Sequence, residues 1–478
     1  MISPGERVAD MCFGLSFLSF ILYIAGRRPV IFVSFFFILF TLAWRMLATM
    51  YIDLDGPVYS SQLGRDIGPG TATIIHSIAY VISLLPFLYF FRQSAVDAWR
   101  NGEADVASTL KAVTLSDVTF IFFVLFFTAL FFDLIRHGPI PFFSRIERYQ
   151  YSGGPLHRLV AEYGNFASFW LGLMFASRQL RERRFDLRMP GLLCTMIAYF
   201  FLTGSRFSAF YTQISFFIIP WAAVIAVREP MPASAFSWIG QILISKRSRF
   251  ATFFFLAVIA SMVSFALYNS LTKVRGYEGM EAWHQLFERL LIQPSEVGWA
   301  SFERVFEGGQ VHPSVAFNFL FLNPISPNRN TSIQYLMFAA LGEPLTSDSV
   351  LRGFQLAGGF PEIFFELFGP YLAWPFLFGT GCISAALTAY TVRGTIRGDY
   401  VSAFFAMYVL YGFYVMYIGG MLNFVMPWTY WIKIAAFVAA VLLERGLAAK
   451  GISLLPWTLF TIPRTRKGAG GAPSATAL

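Results

Sequence analysis

Long apolar runs alternate with short polar breaks along almost the whole chain. The runs cover residues 8–25, 30–50, 71–91, 117–134, 163–177, 191–202, 207–227 and 250–268. A further run begins between residues 361 and 374 and ends near 392, and two more cover 401–417 and 428–443. About 18 apolar residues suffice to cross a hydrocarbon core as a helix. The pattern therefore predicts an all-α polytopic membrane protein with about 11 transmembrane helices. One interval departs from the rhythm. Residues 269–360 hold six basic and eight acidic residues together with Trp, Phe and Leu. It is too polar to span and too rich in large apolar residues for a disordered linker. The expected organisation is a transmembrane bundle of about eight spans over 1–268, a large, partly helical extracytoplasmic loop or cap over 269–360, transmembrane helices over 361–446, and a cytoplasmic tail over 447–478.

Composition agrees with this reading. The chain of 478 residues is 56% hydrophobic and 13% charged, with a mean hydropathy of +0.59. A soluble domain carries roughly 25% charged residues. The net charge of +9 does not indicate nucleic acid, because the basic residues fall in short loops, where they set orientation. With alternating spans, the segments around Arg27, 92–111, 178–188, 228–249, Arg393 and the C-terminal tail share one side, the cytoplasmic one. The loop with Asp53, the segment 136–162, the turn 203–206 and the long interval share the other. Cys12, Cys194 and Cys382 have neither disulfide-framework nor metal-site spacing. The first span lacks a small-residue cleavage site, so no removable signal peptide is expected.

The outer side nevertheless collects arginines. Arg145, Arg148, Arg158, Arg206, Arg275, Arg289, Arg304, Arg329 and Arg352 are candidates for holding a phosphate or pyrophosphate, since a planar guanidinium suits bidentate contact with phosphate oxygens. Pairing with the neighbouring glutamates is the alternative for each. Arg206 follows the tight turn Thr203-Gly204-Ser205 at the N-terminus of a span, where free backbone N–H groups favour an anion. Glu362 and Glu366 lie four residues apart, on one helix face. Like charges so placed repel, which calls for something basic or protonated facing them. A carboxylate in apolar surroundings can serve as a general base. His312, before Pro313, can orient a substrate or move a proton. Asn328-Arg329-Asn330-Thr331 suits sugar hydroxyls. Asp53 and Asp55 are a weaker candidate pair for a divalent cation. No nucleotide loop, Gly-x-Gly-x-x-Gly, hydrolase triad or His-rich metal set is present, and neither a metal nor a cofactor is expected.

Thr203-Gly204-Ser205-Arg206, opening a span, resembles the Ser/Thr-Gly-Ser-Arg element of bacterial O-antigen and exopolysaccharide polymerases, the Wzy-like group. Gly358-Gly359 followed by Glu366-Leu367-Phe368-Gly369 resembles their segment after the large periplasmic loop. The plan of spans with one late outer loop is similar too. The resemblance implies a metal-independent membrane glycosyltransferase in the bacterial inner membrane, with its site facing the periplasm. It would join oligosaccharide repeat units carried on undecaprenyl pyrophosphate. Arg206, Arg275 and Arg352 would neutralise the leaving pyrophosphate, and Glu362, Glu366 or His312 would take the proton of the attacking hydroxyl. A polysaccharide chain-length regulator is an implied partner, beside the lipid bilayer. An O-antigen ligase, a polyprenyl-monophosphate-sugar transferase with a cation on Asp53 and Asp55, and a lipid or polysaccharide transporter are the competing readings.

Overall fold

The structure is a computed structural model. It describes residues 3–100, 106–144, 151, 153–182, 186–204, 207–228, 261, 272, 279–309, 311, 313–314, 316–317, 332–342, 358–425 and 427–449. Helix α1 (Pro4–Arg27) starts on a capping box: the Ser3 hydroxyl accepts from the Glu6 N–H while the Glu6 carboxylate accepts the Ser3 N–H at 2.7 Å. This satisfies donors that the first turn would leave free. The apolar run 30–50, expected as one span, is two helices. Residue Phe35 leaves helical geometry between α2 (Pro29–Ser34) and α3 (Phe36–Asp55). A hairpin of β1 (Val58–Ser60) and β2 (Arg65–Ile67) leads to α4 (Ala72–Phe90).

Helices α5 (Gln93–Arg100), α6 (Val106–Arg136), α7 (Pro141–Ser144), α8 (Pro155–Glu182), α9 (Arg188–Leu202), α10 (Phe207–Ile218) and α11 (Trp221–Arg228) follow. Within the long polar interval lie α12 (Gly279–Leu291), α13 (Glu296–Phe302), a π-helical turn (Glu303–Glu307) and α14 (Ser332–Leu341). The last three long helices are α15 (Glu362–Arg397), α16 (Tyr400–Gly419) and α17 (Trp428–Ala449). Among the described residues, seven helices are long and apolar enough to cross a membrane, and α9 is a shorter apolar helix. The expected span 250–268 lies outside the described residues, apart from residue 261.

Helix α6 carries Ile121, Phe122, Leu125 and Phe132 exposed along its length, a display that water would not tolerate but acyl chains match. Inside the bundle α15 packs on α4 and α16. Aromatic rings fill the space between them: Phe35 lies 4.3 Å from Phe87 and 5.5 Å from Tyr414, whose hydroxyl donates to the Ser34 carbonyl at 2.9 Å. The bundle has two polar ends. At one, Arg178 and Arg188 share Asp117 and Asp186, and Arg181 donates to the Ile396 carbonyl at 2.9 Å. At the other, the hairpin meets the long interval, with Arg65 paired to Glu303 at 2.7 Å. Loops assigned to a common side by charge thus do meet.

Helix α15 begins as a short helical stretch, and Gly369 (φ 73°) then turns the chain before the long apolar part. Only glycine adopts that geometry without strain. Deeper, Gly381 lets α15 approach α4 so closely that a β-carbon would collide with the Ser83 carbonyl, whereas Gly379 faces open space. Gly381→Val should therefore force α4 from α15 and destabilise the protein by about 1–3 kcal/mol. Gly379→Val should leave the thermal transition of the detergent-solubilised protein unchanged.

Candidate functional site

Arg45 sits in the middle of an apolar helix, where a guanidinium is costly unless it is paired. The fold supplies the partners from elements distant in sequence. Arg45 Nη2 lies 2.5 Å from Glu362 Oε1, Nη1 donates to the Phe360 carbonyl, and Nε donates to the Pro294 carbonyl at 3.2 Å. From α4, His76 Nε2 approaches the same Glu362 Oε1 at 3.2 Å. All three ionisable side chains are buried. Tyr80 stacks between the His76 ring and Phe360, at 5.9 and 6.3 Å.

The surrounding backbone is shaped to this cluster. Ser295 Oγ donates to the Arg45 carbonyl at 2.7 Å and receives the Thr49 hydroxyl, which straps residues 294–295 onto α3. A β-carbon on Gly298 would collide with Glu362 Oε1. Glycine there allows α13, buried along its whole length, to lie directly on the pair.

One turn further along α15, Glu366 has its own set of donors. Arg304 pairs with it, Ser301 Oγ donates at 2.7 Å, and the Tyr335 hydroxyl lies at 3.3 Å. Burial, with Glu366 beside it, pushes the Tyr335 phenol above its ordinary range. The basic partners called for by two carboxylates on one helix face are thus Arg45 and Arg304. The pairs share no side chain, so the two carboxylates are neutralised separately.

A third polar group joins the hairpin to α12 and α13. Asp53 accepts from the Thr73 N–H and hydroxyl, each at 2.7 Å, and from Trp299 Nε1 at 2.9 Å. Asp55 is exposed, so the two aspartates do not form one ligand set. The Ser60 hydroxyl lies 2.6 Å from Glu296 Oε2, and Ser61 donates to Glu288. Burial and the neighbouring Glu288 push the Glu296 carboxyl up to about 8. No group of three or more His, Cys, Asp or Glu among the described residues is placed to hold a metal ion.

Of the residues singled out from sequence, the structure brings Glu362 and Glu366 to one end of the bundle. His312, Arg145, Arg148, Arg206, Arg275, Arg329 and Arg352 lie outside the described residues. Arg45 and His76 were missed. Each is a lone ionisable residue inside an apolar run, and that isolation is itself the signal, since charge placed in a span marks function by default.

Removing Arg45 alone leaves Glu362 buried beside only an imidazole. Arg45→Met should destabilise the protein by about 3–5 kcal/mol, and Arg45→Met with Glu362→Met should recover most of that loss; thermal unfolding of the four proteins checks the cycle. Glu296 makes stability depend on pH. The folded state holds a proton that the unfolded chain releases, so the stabilisation is complete at acid pH and is lost as pH rises through about 8. Wild type should lose on the order of a few kcal/mol between about pH 5 and pH 8, and Glu296→Gln should flatten the profile.

Residues 326–432 match a family described only as "Family of unknown function (DUF6418)". The matched stretch contains Glu362, Glu366, all of α15 and α16, and the start of α17. No curated protein and no solved structure matches the chain.

Proposed function

We propose that this protein is a membrane glycosyltransferase that polymerises oligosaccharide repeat units carried on undecaprenyl pyrophosphate, with Arg45, His76 and Glu362 at its centre. The reading takes the end of the bundle holding these residues as extracytoplasmic, since the arginine-rich loops lie at the other end. It takes the full chain to have about 11 spans, with residues 269–360 over the site, in a bacterial inner membrane.

The observation that carries the proposal is the state of His76. Its Nε2 faces the Glu362 carboxylate at 3.2 Å, while its Nδ1 is buried and makes no hydrogen bond among the described residues. A carboxylate on Nε2 fixes the proton there and leaves Nδ1 as the basic nitrogen. Glu362 then orients the imidazole and stabilises the cation formed when it accepts a proton, while Arg45 keeps the carboxylate ionised. In the reaction the acceptor sugar's hydroxyl oxygen attacks the anomeric carbon of the donor glycan. His76 takes the hydroxyl proton, the bond from that carbon to the pyrophosphate oxygen breaks, and the pyrophosphate leaves with the electron pair. Arg206, Arg275 and Arg352 are the groups proposed to neutralise it, with Arg145, Arg148 and Arg329 along the glycan path.

The second reading is a transporter. The break in α15 at Gly369 and the ionisable residues inside spans favour it, because interrupted helices and buried charge also mark transport sites. Detergent-solubilised protein given only lipid-linked repeat units separates the two, since transport needs a sealed compartment. A ladder of glycan lengths is expected. His76→Gln should slow its formation by about 10²–10⁴-fold while leaving binding of the lipid-linked units intact. If wild type makes no ladder but moves the units between leaflets of sealed vesicles, the transferase reading is wrong.

A further inference from the structure

The far end of the same helix carries a second set of charges, treated quite differently. On that face Arg178 is paired with Asp117, Glu182 and Asp186, and Arg188 with Asp117 and Asp186. Arg393, Arg397 and Arg445 instead line a cavity of about 320 Å³ together with Tyr390, Val441 and Glu444. None of the three arginines forms an ion pair among the described residues, and Arg397 and Arg445 are like-charged neighbours of Arg393. Arg393 and Arg397 lie four apart on α15, where like charges repel.

The acids nearby offset this only in part. The two oxygens of Glu444 are held by the Val401 and Ser402 N–H groups, at 3.1 and 3.2 Å, where they cap α16. With Asp399, also on the cavity wall, the acids set two negative charges against three positive ones, so the lining keeps a net positive charge. On α17, Leu442 follows the lining residue Val441 and is exposed, so an apolar side chain stands at the edge of the cationic hollow. Cationic hollows between membrane helices are suited to phosphate-bearing headgroups.

We propose that this cavity binds a phosphate anion, with the guanidinium groups of Arg393, Arg397 and Arg445 as its ligands. The same chemistry serves the headgroup of an anionic phospholipid, with an acyl chain beside Leu442, or a free phosphate or pyrophosphate. The site lies at the opposite end of α15 from Glu362 and does not depend on the transferase reading.

The test compares wild type with Arg393→Gln/Arg397→Gln/Arg445→Gln. These arginines are exposed, and an unchanged thermal transition in phosphate-free neutral detergent verifies that the variant folds. In one arm both proteins are placed in phosphatidylcholine nanodiscs with and without phosphatidylglycerol, and co-purifying lipid is weighed by native mass spectrometry. In the other, inorganic phosphate and pyrophosphate are titrated in phosphatidylcholine alone. Retention of phosphatidylglycerol by wild type, weakened about fivefold per arginine removed, supports a lipid ligand. Stabilisation of wild type but not the variant by the soluble anions supports a free phosphate. Equal behaviour of the two proteins in both arms, whether both respond or neither does, overturns the proposal.

Discussion

A carboxylate taken out of water must find a cation or give up its charge, and Glu362 finds Arg45. Because the pair is buried on both sides, neither partner can be satisfied by solvent, and the helices that carry them must meet. That requirement draws α3, α4 and α15 to one point. It also fixes the backbone around them: the Phe360 and Pro294 carbonyls turn inward to the guanidinium, and Gly298 leaves out the β-carbon that would collide with Glu362. Two charges held this way contribute little net stability compared with an apolar filling. What they supply is a preorganised field in a dry interior, the property that charge-developing chemistry uses.

The polar groups at this end form a graded series. Arg45, His76 and Glu362 form one buried set, Glu366 with Arg304 a second one turn along α15, and the acids of α12 and α13 that meet the hairpin a third. The long interval is therefore more than a tether between spans. Its described residues supply Glu288, Glu296, Trp299, Ser301 and Arg304 to the network, so the packing of this segment and of the buried charges are physically coupled. At the other end, arginines either pair with neighbouring acids or line an open hollow. Helix α15 joins these unlike environments through one kink at Gly369.

The sequence made the fold class plain, because repeated apolar runs have few physical alternatives. It also made plain that Glu362 and Glu366 share a helix face and require basic partners. It did not show which cations they are. Arg45 is 317 positions from Glu362, and no local rule links them. His76 was hidden for a related reason: an isolated polar residue hardly alters the hydropathy of its run, and the polar loops drew attention instead. The helix break at Phe35 was obscured because its stretch is apolar apart from Ser34, whereas the break at Gly369 carries a local signal in Gly369-Pro370. Two of the segment groupings drawn from charge are in contact: residues of 178–188 meet the end of α15, and the hairpin meets the long interval.

The central claim is that the buried cluster performs chemistry and is not merely a structural plug. The neutral pair Arg45→Met with Glu362→Met retains the packing while removing the field. Purified in detergent and supplied with lipid-linked repeat units, a folded, monodisperse double variant should form no glycan ladder. A ladder equal to that of wild type would contradict the account.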